Sequence, residues 1–143
     1  MKNHLRLLSR GAAILLLAVA SWPSAMAQRQ HGPPTGPATE CSNPGICRIT
    51  VTVNDCQAPG GITVEPSIAS TRQPTILVWT IAGGRFEFAA DGIEFENPDQ
   101  FRDLPSPSTK EMRFRNLKTK DGDFYYWVRV AGCREVDPFI RNN

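Results

Sequence analysis

Short runs in which apolar and polar residues alternate constrain this chain more than any other feature. Residues 48–53 read RITVTV, with Ile49, Val51 and Val53 on one side of a pleat and Thr50 and Thr52 on the other. Successive side chains of a strand point to opposite faces, so a period of two marks a strand with one buried face. The pattern returns at Phe86 and Phe88, at Ile93 and Phe95, and at Met112 and Phe114. It is longest at residues 124–130, where Phe124, Tyr126, Val128 and Val130 alternate with Tyr125, Trp127 and Arg129. Residues 62–64 are a brief further candidate, and residues 76–81, ILVWTI, are apolar on both faces, as in a central strand covered on two sides. Turn signals separate the runs: Pro59-Gly60-Gly61, Gly83-Gly84, Asp91-Gly92, Asn97-Pro98 and Asp121-Gly122. The reading is an all-β chain, an antiparallel β-sandwich of about seven strands. Residues 99–110 are polar and hold two prolines, and are read as a short helix start at DQFRDL or a crossover loop.

The chain has 143 residues, enough for one domain. Its first 27 read as a signal peptide: Lys2, Arg6 and Arg10 give a positive start, GAAILLLAVA is apolar, and Ala25-Met26-Ala27 is a small-x-small cleavage site. The apolar run falls short of the ~20 residues a bilayer span needs. Without this leader the charge is 13 basic against 14 acidic residues, a net of −1, which argues for neither nucleic acid nor an anionic membrane as partner. Residues 28–40, QRQHGPPTGPATE, hold five Gly or Pro and no aliphatic larger than Ala, the composition of a disordered tether. His31, the one histidine after the leader, sits there. The folded domain is expected over residues 41–143, with no membrane span in the mature chain.

The four cysteines, Cys41, Cys47, Cys56 and Cys133, all follow the leader, as two disulfides of an exported chain would. Three pairings exist. Cys47 and Cys56 flank RITVTV, and nine steps of extended chain put them ~30 Å apart, beyond disulfide reach. Cys41 and Cys47 enclose CSNPGIC, whose Asn43-Pro44-Gly45 favours a tight loop. The favoured pairing is Cys41–Cys47 with Cys56–Cys133. The spacings form no CxxC unit for zinc or redox chemistry.

ILVWTI followed by RFEFAADGIEF, and later FYYWVRVAGC, resembles the cupredoxin-type sandwich. The start Cys47 to Val53 and the ending Asp137-Pro138-Phe139-Ile140-Arg141-Asn142 resemble small exported bacterial proteins of unassigned function. In copper-carrying cupredoxins a Cys, two His and usually a Met hold the metal. Here Cys133 is followed by Arg134, Glu135, Val136, Asp137 and Pro138, without His or Met, so a His₂Cys copper site cannot be assembled. The rival is an immunoglobulin-like sandwich, from the order Cys56, Trp79, Cys133, but Ala131 stands where that fold has a tyrosine.

Without histidine in the folded part, Ser-His-Asp and Cys-His arrangements are excluded. Asp91, Glu94, Glu96 and Asp99 could act as paired carboxylates or hold a cation, although their alternation with Ile93 and Phe95 suggests a solvated strand face. The charge is also blocked: residues 85–103 carry six acids and two bases, residues 110–120 five bases and one acid. Cross-strand pairing of neighbouring faces is the simpler account, a dipolar surface the sharper one. If Phe124, Tyr126, Val128 and Val130 fill the core, Tyr125, Trp127 and Arg129 form an outward patch with the composition of an interface hot spot. The expected function is a non-catalytic binding or protein-interaction module, periplasmic or secreted, without metal or cofactor, whose partner is an envelope protein or glycan. The alternative is a carboxylate-based metal-binding or hydrolytic site on the same scaffold.

Overall fold

The alternating runs fold into two five-stranded sheets packed face to face. A computed structural model describes residues 35–41 and 45–143. The leader, His31 and most of the tether lie outside the described residues. Ten strands follow in order: β1 (Thr39–Glu40), β2 (Ile46–Val53), β3 (Ile62–Glu65), β4 (Ile68–Thr71), β5 (Thr75–Ile81), β6 (Phe88–Phe95), β7 (Phe101–Leu104), β8 (Glu111–Asn116), β9 (Gly122–Val130) and β10 (Phe139–Asn142). The first sheet has the order β1-β4-β10-β9-β6, the second β3-β2-β5-β8-β7.

The all-β, two-sheet expectation holds, but the sandwich is mixed rather than antiparallel. β2 runs parallel to β5, and β4 runs parallel to both β10 and β1. The cause is the route of the chain. After β3 it leaves the second sheet, lays β4 into the first, and returns as β5 beside β2. Alternation alone cannot register such a crossing. Four short strands, β1, β4, β7 and β10, are added and the runs at Phe88 and at Ile93 and Phe95 join as β6, which takes the count from seven to ten. The DQFRDL segment is neither a helix start nor a crossover loop: Pro98–Gln100 form one 3-10 turn, and β7 follows. Phe101 draws β7 into the sheet by stacking on Phe95, with ring centroids 3.7 Å apart.

Asp91-Gly92 is also not a turn between strands, because both lie within β6. The register of β6 against β9 shifts between Phe88 and Ile93, a bulge that bends one long strand. Gly92 is buried there, and a Cβ on it would lie 2.7 Å from the Phe88 Cβ, so the close approach admits only glycine.

The core forms where the inward residues of both sheets meet. Trp79 of β5, fully buried, packs edge-on against Tyr126 of β9 at 5.2 Å and against Phe95 and Phe114 at 6.0 Å each. Burial of the Tyr126 hydroxyl raises its pKa, which keeps the phenol neutral. Ile49, Val51, Leu77, Val128 and Ile140 complete the layer. Each such side chain contributes about 1.5–3 kcal/mol by leaving water.

Two disulfides staple one sheet to the other, with the expected pairing. Cys41, which follows β1, joins Cys47 of β2. Cys56, beyond β2, joins Cys133, beyond β9, with Cα atoms 4.5 Å apart. Both members of this second bridge lie in loops, and the Arg134 N–H donates to the Cys56 carbonyl beside it.

At the opposite end a buried polar node ties the sheets together. Asn142 of β10 is 2% exposed and saturated with hydrogen bonds. Its Oδ1 accepts from the Thr71 hydroxyl and from Asn116 Nδ2, each at 2.8 Å. Its Nδ2 donates to Gln100 Oε1 at 3.0 Å and to the Lys120 carbonyl at 3.1 Å. The Asn-terminated ending noted in the sequence is therefore a structural clasp between β4, β8, β10 and the 3-10 turn.

Candidate functional site

Along β9 the residues at odd positions leave the core. Tyr125, Trp127 and Arg129 all reach the outer face of the first sheet, as the period of two requires, and all three are half-buried. Their neighbours follow from the register. Phe139 stands opposite Tyr125, Arg141 opposite Asp123, and Glu94 opposite Trp127. The result is a continuous row. Arg141 lies over the Phe139 ring at 5.7 Å, Phe139 meets Tyr125 at 5.7 Å, and Arg129 lies over the Trp127 ring at 5.9 Å.

Charge fixes both ends of this row. Arg129 is held by Asp91 at 3.0 Å, by Glu135 at 3.1 Å and by Glu94. Arg141 makes a two-pronged contact with Asp123 at 2.8 and 3.2 Å, which raises the guanidinium pKa. Burial, then the nearby carboxylates of Asp123, Glu96 and Asp137, push the Tyr125 phenol above its usual value. The face carries more acid than base, yet most of its carboxylates are already matched to its two arginines.

The acidic run is thus distributed by the fold. Asp91 and Glu94 converge on Arg129, Glu96 sits near Tyr125, and Asp99 lies in the 3-10 turn. Among the described residues no group of His, Cys, Asp and Glu has the arrangement of a metal site. A pocket of about 320 Å³ opens near Asp99, Gln100 and Asp123. Its carboxylates at Asp121 and Asp123 are engaged by Lys118 and Arg141.

The acidic and basic blocks pair as strands only where β7 meets β8, and there Arg102 stands across from Arg115. β6, with Asp91 and Glu94, pairs with β9 in the first sheet, and β8, with Arg113 and Arg115, pairs with β5 and β7 in the second. The two outer faces therefore differ in sign. The sequence offered this as the sharper of two accounts but not the place of Arg102, which is embedded in the acidic block and folds across from Arg115. Only strand register reveals that neighbourhood.

Cys133 is committed to a disulfide. With no histidine beyond residue 31, the folded protein is expected to stay colourless with copper(II). An intense visible charge-transfer band on titration, assigned to sulfur–copper bonding, would reverse that expectation.

Against protein-family models and curated protein sequences, the chain finds no match.

Proposed function

We propose that this chain is an exported, non-catalytic β-sandwich acting as a binding module in the cell envelope, on a cupredoxin-like scaffold lacking copper ligands. The observation that carries the reading is the ordered pair of Tyr125 and Trp127 on the outer face, backed by the buried Phe139 and fixed between Arg129 and Arg141 by their carboxylates. A preorganised aromatic and arginine surface loses little freedom when a partner docks. Two disulfides fit an oxidising compartment outside the cytoplasm. Among the described residues no helix is long and apolar enough to cross a membrane. The partner is an envelope protein or glycan, met in the periplasm or beyond.

Capture from envelope extract tests the site. With the exported protein immobilised, Trp127→Ala is expected to lower the amount of captured partner at least tenfold. The same substitution should change unfolding free energy by less than about 1 kcal/mol. A loss of several kcal/mol, as a core tryptophan deletion gives, would make Trp127 structural and remove this assignment.

A further inference from the structure

The outer face of the second sheet differs in kind from the row just described. Arg48, Val78, Arg113 and Leu104 lie side by side across β2, β5, β8 and β7. The next row is Ile46, Ile76, Arg115 and Arg102. Leu77 and Trp79, which alternate with these positions on β5, are buried in the core, so the arginines face outward. Val78 is only 5% exposed although it points out, as expected where the stems of Arg48 and Arg113 flank it.

The four arginines are poorly neutralised. Glu111 contacts Arg113, but among the described residues no carboxylate pairs with Arg48, Arg102 or Arg115, all three exposed. Arg102 and Arg115 stand directly opposite each other on antiparallel strands. Like charges so placed destabilise a sheet. An anion set between them reverses the sign of that interaction.

Strand spacing of about 4.8 Å and a two-residue rise of about 6.8 Å make the arginines a diagonal band about 16 Å long. Successive arginines in it stand about 5 to 10 Å apart. We propose that this band binds a linear anionic polysaccharide carrying one carboxylate on every one or two sugar rings. This rests on the reading of the chain as an envelope binding module and adds a second ligand, on the face opposite the Trp127 row. A guanidinium donates two parallel hydrogen bonds to a carboxylate, which suits uronate groups along an extended chain. The adjoining row runs Glu65, Thr50, Thr80 and Glu111, so its two exposed hydroxyls can meet sugar hydroxyls while its end carboxylates confine the anionic chain to the arginine band.

Two other occupants fit less well. A lipid surface is gripped by apolar side chains inserted below the headgroups, and here Val78 is recessed and Ile46 and Ile76 are half-buried. A second copy would have to offer its acidic face, whose Asp91, Glu94, Glu135 and Asp123 already hold Arg129 and Arg141.

The test is titration of the exported protein with an octameric oligogalacturonate, monomeric galacturonate, neutral dextran and phosphatidylglycerol vesicles, with sedimentation of the protein alone. The octamer is expected to bind, and dextran and the monomer to bind at least tenfold more weakly. The double variant Arg102→Gln/Arg115→Gln should lose at least tenfold in octamer affinity and show a shallower salt dependence. Arg134→Gln, an exposed arginine in the Cys133 loop, should leave affinity unchanged. The assignment falls if a natively stable double variant binds the octamer as wild type does, or if the monomer binds equally well. Equal or tighter vesicle binding would transfer the face to lipid. Self-association abolished by the double variant would transfer it to a second copy. If the octamer does not bind while Trp127-dependent envelope capture persists, the arginine band loses its ligand and the module reading stands.

Discussion

Asn142→Ala is expected to destabilise the domain by about 3–5 kcal/mol, far more than its position beside a solvated arginine suggests. The substitution removes one amide and takes a partner from four groups: the buried Thr71 hydroxyl and Asn116 amide, which keep their bond to each other, the buried Gln100 Oε1 and the part-buried Lys120 carbonyl. Each buried group left without a partner costs about 1–3 kcal/mol, partly recovered as the node relaxes. Arg141→Ala, one residue earlier, breaks a solvent-screened ion pair and a ring contact, and should cost far less. Urea unfolding of the two variants checks the order. A smaller loss at Asn142 than at Arg141 would show that the node does not hold the sheets together.

Opening the Cys56–Cys133 bridge by Ser substitution at both positions should cost about 4 kcal/mol. The two cysteines are 77 residues apart, and the entropy a cross-link removes from the unfolded chain rises with the logarithm of the loop. The same relation gives about 2 kcal/mol for Cys41–Cys47, separated by 6 residues. Against a total stability of about 5–15 kcal/mol for a domain, the first loss approaches unfolding and the second does not. Denaturation midpoints of the two double variants, Cys56→Ser/Cys133→Ser and Cys41→Ala/Cys47→Ala, give the comparison directly. A larger effect from the short loop would mean that native-state contacts, including the burial of Cys47, outweigh chain entropy.

Legibility in the sequence followed local regularity. β2, β5 and β9 are long enough for their alternation to stand out, and the outward placement of Tyr125, Trp127 and Arg129 follows from it. β4 and β10 are four residues each, and their burial comes from the strands on either side. Ser70 and Thr71 of β4 are polar yet buried, which no hydrophobic pattern announces. The parallel pairings are equally silent, because a period of two says which face a residue takes and nothing about which strand lies next to it. The charged faces show the same limit. Arg129 reads as a free hot-spot cation until Asp91, Glu94 and Glu135 are seen around it. Arg102 reads as part of an acidic run until register sets it against Arg115.

The place of β10 has a consequence for when the molecule can exist. Residues 139–142 sit in the interior of the first sheet, between β4 and β9. Until the ribosome has added them, β4 lacks one of its two parallel neighbours and β9 has one bare edge over residues 122–125. A nascent chain therefore cannot close this sheet early and lock itself shut. The strand that bridges β4 and β9 follows both in the chain, so the first sheet closes only once residues 139–142 are in place.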